Sequence, residues 1–336
     1  MTDPRAAPPP PDFDRQIEAL LGKATEPFSK GRIALRWFAG HVHHSERMST
    51  PLRVAHLTDQ HVGRVTPFRV QLEAVRLANL AQPDLVLLTG DFVCHSHQYL
   101  DQLEEVVASF DAPVFAVLGN HDHWSGADDV KWSLLRAGAE LLENAHTVIT
   151  VRHERIQLVG LDDAYTGHAD VERATRGLDR SLPTVALSHI AEMAGPLWAK
   201  GVPLVLAGHT HGGQITVARL HEFTLGRVFG HRYVHGLYGC RRGHLEEGAV
   251  YVGAGIGAAV MPLRLGERGQ REVTIFELGE SPGGFEEHHV EQAALPGRPP
   301  SARQQAAREI AVERKRLRRE RRARRAATNR EEDDEG

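Results

Sequence analysis

The chain has 336 residues, enough to bury a sizeable core, and 25% of them are charged, with a formal net charge of −4. Its two cysteines, Cys94 and Cys240, have no paired spacing, which argues against a disulfide framework or thiolate metal sites and fits a reducing, cytoplasmic setting. Charge is uneven: residues 301–330 hold twelve Arg or Lys against three Glu, residues 331–335 are all acidic, and residues 1–300 carry −8, which disfavours nucleic acid as a specific substrate.

The first eleven residues are proline-rich and lack the basic-then-apolar layout of a secretory leader. No run of 18 apolar residues occurs anywhere, so no membrane-spanning helix is expected. Phe13, Ile17, Leu20 and Leu21 share one helical face, and Ile33, Ala34, Leu35, Trp37 and Phe38 make a second apolar patch. Two readings stay open for them, docking on a membrane surface and packing on the body of the protein, the latter being the usual fate of such segments.

Beyond residue 50, short apolar runs alternate with amphipathic stretches. Val54 to Leu57, Leu85 to Leu88, Val114 to Val117, Val185 to Leu187 and Leu204 to Ala207 lack polar alternation and read as strands buried on both faces. Val70 to Leu80 and Leu100 to Val107 carry helical apolar spacing and read as crossover helices, so pairing in the first half is expected to be mainly parallel. Ile149 to Asp162 and Val250 to Leu278 read as strand-rich, suggesting a second sheet. After Leu278 the composition turns to that of a linker, and Ala302 to Ala327 is helical in composition but too polar to bury a face. The expected organisation is an N-terminal extension over 1–50, one catalytic domain over 51–279, and a linker with a charged tail over 280–336.

Each of the five apolar runs is followed by metal-type residues: Asp59 and His61, Asp91, Asn120 and His121, His189, and His209 and His211. Ligands in open α/β sheets gather at the carboxyl ends of strands, and imidazole with carboxylate suits borderline and hard divalent metals, so these ends read as one metal site. Residues two apart in an extended stretch, as in Asp59/His61 and His209/His211, present their side chains to the same side.

In order, Asp59-Gln60-His61, Gly90-Asp91, Gly119-Asn120-His121-Asp122, Ser188-His189 and Gly208-His209-Thr210-His211 resemble the blocks of the calcineurin-like metallophosphoesterase superfamily, closest to its bacterial YkuE-like branch, over roughly residues 52 to 278. The resemblance implies a four-layer α/β/β/α sandwich of two mixed sheets flanked by helices. It also implies two divalent ions (Mn²⁺, Fe²⁺ or Zn²⁺), about 3.5–4 Å apart. Asp59, His61 and His211 would hold one ion, Asn120, His189 and His209 the other, and Asp91 would bridge them. A water between the ions would supply the nucleophile, with His121 protonating the leaving oxygen or steadying the transition state. Asp122 reads either as a partner orienting a neighbouring His or as a capping residue.

His123 and Trp124 read as lining the substrate entrance, with packing the other reading for Trp124; Arg264 reads as a phosphate ligand or as an ordinary surface arginine, and Gly208, Gly212 and Gly213 as sites of close backbone approach. Of the 21 histidines, His43, His44, His95, His97, His153, His221, His231, His235, His244, His288 and His289 fall in no block and are expected at the surface. Phe92-Val93-Cys94-His95 departs from the Asp-Arg pair of the Ser/Thr phosphatases, and Cys94 stands where purple acid phosphatases place a metal-binding Tyr. Ile190-Ala191-Glu192 replaces the usual Asn-Pro-Asp.

The expected activity is hydrolysis of a phosphodiester or pyrophosphate in a small or lipid-linked substrate. UDP-2,3-diacylglucosamine is the specific candidate that the resemblance suggests. The alternatives are a cyclic-nucleotide phosphodiesterase and a non-catalytic scaffold of the same fold, the latter opposed by the complete ligand set. The basic stretch over 301–330 reads either as an arm for an anionic membrane or RNA, giving peripheral contact with the membrane's inner face, or as a solvated tail. Nothing in the sequence speaks to an oligomer.

Overall fold

A computed structural model of the chain describes residues 33–94, 97–213, 230–258 and 270–297. The strands are β1 (Ile33–Ala39), β2 (Leu52–Leu57), β3 (Leu85–Thr89), β4 (Val114–Val117), β5 (Glu140–Leu141), β6 (Ala145–Val151), β7 (Glu154–Leu161), β8 (Thr184–Ser188), β9 (Leu204–Ala207), β10 (Gly236–Gly239), β11 (Ala249–Val252) and β12 (Arg271–Leu278). The helices are α1 (Val42–Ser45), α2 (Phe68–Leu80), α3 (Leu100–Ala108), α4 (Asn120–Arg136), α5 (Val171–Ala174) and α6 (Ala194–Trp198). The crossover helices expected from periodicity are α2 and α3, each within two residues of its expected ends.

Two sheets result, one ordered β1-β12-β2-β3-β4-β5 and the other β10-β11-β9-β8-β7-β6. The β2-β3-β4-β5 ladder is parallel, as the crossovers require. The sheets face each other: Val54, Leu85, Leu87, Phe115 and Val117 of the first pack on Leu158, Val185, Leu187, Leu204 and Leu206 of the second. Alternate residues point outward, so Ala186 and Val205 meet Ala174 of α5 and Ala194 and Leu197 of α6. Over the first sheet, α2 buries Ala74, Val75, Leu77 and Ala78, the one stripe its sequence keeps apolar. The architecture is the expected four-layer α/β/β/α sandwich.

Three expectations are corrected by pairings distant in sequence. Val250 to Leu278 does not stay in one sheet: β11 joins the second, whereas β12 enters the first, antiparallel to β2 and parallel to β1. Ile33–Phe38 is no mere covering patch, since β1 adds an edge strand by pairing Ile33–Ala39 with Arg271–Glu277. The chain also stays on the fold past Leu278: Gln292 N donates to Leu237 O at 2.8 Å and Leu295 N to Arg232 O at 2.9 Å.

Several histidines expected at the surface are buried. His43 and His44 are 3% and 0% exposed and His235 is 1% exposed. His44 Nε2 donates to Thr184 O at 2.9 Å, and His235 Nε2 meets Glu272 Oε2 at 3.0 Å. An imidazole with a backbone or carboxylate partner tolerates burial that a solitary one does not. No helix among the described residues is long and apolar enough to cross a membrane.

Candidate metal centre

The loops that follow β2, β3, β4, β8 and β9 converge at the carboxyl ends of strands from both sheets. Asp59 and His61 come from the end of β2, Asp91 from that of β3, and Asn120 opens α4 just after β4; His189 leaves β8, and His209 and His211 leave β9. After β2 and β3 the chains stay bonded to each other, Asp59 N to Gly90 O at 3.0 Å and His61 N to Asp91 O at 2.9 Å, so their side chains are held in register. Asp59, His61, Asp91, His209 and His211 have φ of 49°, 43°, 55°, 74° and 51°. Left-handed backbone at a residue with a Cβ costs on the order of 1–3 kcal/mol, and such strain gathers at functional sites.

The ligand atoms of Asp59, His61, Asp91 and His211 lie within 4.8 Å of one another, and so do those of Asp91, His189 and His209. Asp91 belongs to both groups. His61 Nε2 and His211 Nε2 are 3.0 Å apart, and His211 Nε2 is 3.4 Å from Asp59 Oδ1. His189 Nε2 is 3.3 Å from Asp91 Oδ2. Asp59 Oδ1 and both amide atoms of Asn120 are buried with no hydrogen-bond partner among the described residues. Buried polar atoms without partners are rare and costly, and this nitrogen and oxygen donor set fits borderline divalent ions.

Neighbouring groups hold the candidate ligands in place. Thr58 Oγ1 and His209 N both donate to Asp59 Oδ2, each at 2.9 Å, the second bond tying the two sheets together. A Cβ at Gly208 would overlap Asp59 Oδ2, and one at Gly119 would overlap Asp91 Oδ1, so these glycines are required by close approach. Asp122 Oδ2 accepts from Gly119 N and Asp91 N at 2.9 Å, and Oδ1 accepts from Phe92 N at 2.8 Å. Of the two readings open for Asp122, the cap is realised, and the same carboxylate also orders the Asp91 loop.

The remaining candidates are distributed around this cluster. His121 N donates to Asp91 Oδ1 at 2.8 Å, and its ring lies 4.9 Å from that of His61. His123 is engaged beside the cluster: Nε2 meets Asp162 Oδ1 at 2.8 Å and the ring stacks on His168 at 4.0 Å. Trp124 stands at the rim, 53% exposed, and Arg264 lies outside the described residues.

Sequence reasoning missed His231, which it expected at the surface, although its ring is 5.4 Å from that of His209. It set Cys94 aside as a metal-site residue, although its sulfur lies within 4.8 Å of His61 and His121 nitrogens, and it passed over Tyr165, whose ring is 5.5 Å from that of His209. Neither His231 nor Tyr165 adjoins a matching block, so only folding reveals its position. Cys94, three residues beyond Asp91, carried a positional signal.

Comparison with known proteins agrees with this geometry. The phosphodiesterase YaeI of Escherichia coli (strain K12) is 32% identical over 238 residues, which are 68% of this chain and 83% of that protein. The chain belongs to the calcineurin-like phosphoesterases. The sequence profile of that family matches residues 52–213, so all seven candidate ligands fall inside it. The uncharacterized metallophosphoesterase YkuE of Bacillus subtilis (strain 168) is 27% identical, over 79% of this chain and 88% of that protein. Among solved structures, the 5′-nucleotidase precursor of Thermus thermophilus is similar over 69% of this chain and 56% of that one, with TM-score 0.44 and 16% identity.

As a calcineurin-like phosphoesterase, the chain is a metal-dependent phosphoester hydrolase, and the charges at its centre suit bound cations. Burial pushes Asp59 up to about 6, with Asp91 adding to the effect. Burial and then Asp91 push Asp122 to about 7. Burial opposes protonation of His189, yet Asp91 outweighs it and lifts the imidazole to about 10. Burial, with Asp91 adding to it, thus disfavours negative charge on Asp59 and Asp122, a cost that bound cations would offset.

Proposed function

We propose that this calcineurin-like phosphoesterase hydrolyses phosphodiester or pyrophosphate bonds in small or lipid-linked molecules. Two divalent ions (Mn²⁺, Fe²⁺ or Zn²⁺) would be held by Asp59, His61 and His211 and by Asn120, His189 and His209, with Asp91 between them. The observation that carries this reading is the membership of Asp91 in both ligand groups. Bound ions would activate a water and neutralise phosphate oxygens.

The protein's own residues set the geometry. Asp91 places its carboxylate between the two groups, and its Oδ1 receives the His121 N–H, which holds His121 over the same edge. His121 then gives its proton to the leaving oxygen, and Asp122 keeps the Asp91 loop and the start of α4 together so that this distance is maintained. UDP-2,3-diacylglucosamine is the specific lipid-linked candidate, and the basic stretch over 301–330, outside the described residues, would attach the protein peripherally to anionic membranes.

The test is reconstitution with Mn²⁺, Fe²⁺ and Zn²⁺ followed by elemental analysis and assay on bis(p-nitrophenyl) phosphate, p-nitrophenyl phosphate and UDP-2,3-diacylglucosamine. Two ions per chain with diester or pyrophosphate cleavage is the expected result. Fewer than one ion and no turnover would favour the non-catalytic scaffold, and activity confined to the monoester would overturn the diester assignment.

A further inference from the structure

Two large aromatic side chains stand half in solvent beside the metal-ligand cluster. Trp124 is 53% exposed and Tyr165 is 52% exposed. Their rings are 5.9 Å apart and inclined at 80°, so they form two sides of a corner. Trp124 lies against His121, with ring centroids 4.9 Å apart, and Tyr165 lies against His209 at 5.5 Å. The corner therefore runs from the proposed proton donor to a proposed ligand. They come from different elements: Trp124 sits on α4 ahead of the break at Gly126, and Tyr165 on the turn after β7.

Leaving two such rings about half wet gives up part of their hydrophobic gain, and an exposed aromatic patch beside a site marks a surface where something binds. A flat ring laid on the face of Trp124 would meet Tyr165 edge-to-face, and both arrangements are favourable for aromatic pairs. Because His121 is the group proposed to protonate the leaving oxygen, a ring resting on Trp124 belongs to the leaving group. We propose that Trp124 and Tyr165 form a subsite for a planar aromatic ring, a nucleobase or an aryl group, carried by the leaving group of the phosphoester. This deepens the phosphodiesterase reading above and rests on it.

The inference is tested by calorimetric titration of the full-length, metal-loaded protein with two non-hydrolysable probes, phenylphosphonate and methylphosphonate. Stacking of one ring is expected to favour the phenyl probe by about tenfold. Trp124→Ala should bring the ratio of the two affinities close to one, Trp124→Phe should restore most of it, and Trp132→Ala, which removes another exposed tryptophan of the same helix, should leave it unchanged. Adenosine 5′-monophosphate set against ribose 5-phosphate then separates a nucleobase from a simple aryl group as the natural occupant. A ratio that persists in Trp124→Ala overturns the subsite while leaving the phosphodiesterase reading intact. Failure of both phosphonates to bind overturns that reading and the subsite with it.

Discussion

His189 donates its Nδ1 proton to the carbonyl oxygen of Thr89, 2.7 Å away, and so turns Nε2 across the gap between the sheets toward Asp91. The carbonyl can only accept, which assigns the Nδ1 proton without ambiguity. One bond thereby orients a candidate ligand from β8 by means of the strand that delivers Asp91, coupling the two halves of the centre.

Asp91→Asn removes the charge shared by both groups while keeping the shape of the side chain. Metal content is expected to fall further than with a substitution at any other candidate ligand, since Asp91 is the one residue shared by the Asp59, His61 and His211 group and the His189 and His209 group. Elemental analysis after dialysis decides it. Stoichiometric retention of both ions would contradict the bridging role.

His121→Gln should leave both ions bound and lower kcat, by roughly 10²-fold or more for substrates with poor leaving groups and much less for p-nitrophenolate, which departs without a proton. Comparing kcat for alkyl and nitrophenyl diesters reads this directly. Equal losses on both would point to a positioning role instead.

Asp122→Asn keeps one acceptor oxygen where the carboxylate now serves Gly119, Asp91 and Phe92 N–H groups with two. Loosening of the Asp91 loop is expected to weaken metal affinity by about 10- to 100-fold, in line with other groups that support ligands from behind. Metal titration monitored by activity and by calorimetry checks it, and an unchanged affinity would reduce Asp122 to a helix cap.

Acid should destabilise the fold through its buried histidines. Burial lowers His44 to about 3 and His41 to about 4 from an ordinary 6.5, so the unfolded chain binds more protons between those values. Stability is whole above pH 6.5 and is lost as pH falls toward 4, by about 1.4 kcal/mol per pH unit for each such proton. Denaturant midpoints at pH 7.5 and 5 measure this, and His44→Gln should flatten the difference. An undiminished slope in that variant would show that His44 contributes nothing to it.

Removing residues 281–336 should damage the fold. Arg241, 2% exposed, is held by Glu287 and, at 2.8 Å, by Glu291, both of which the deletion takes away. A buried guanidinium left unpaired costs on the order of 3–5 kcal/mol, so a clear drop in Tm is expected, reproduced in part by Glu287→Gln with Glu291→Gln. Deleting only residues 301–330 spares these pairs and takes away twelve Arg or Lys, so its expected effect is weaker, less salt-sensitive binding to vesicles containing anionic lipid. Unaltered vesicle binding would leave that stretch a solvated tail.

The sequence by itself determined the strands that end in candidate ligands, the two crossover helices and the seven metal-type positions, because apolar runs, helical periodicity and motif spacing are local properties of the chain. Only the tertiary structure decided how those strand ends share a site: Asp59, Asp91 and Asn120 come from one sheet and His189, His209 and His211 from the other. It also decided that β12 lies between β1 and β2, that His43, His44 and His235 are buried, and that Tyr165 and His231 border the centre. Strand pairing and burial are set by hydrogen bonds and packing between segments as far apart as Ile33 and Arg271, and no pattern within either segment encodes its partner.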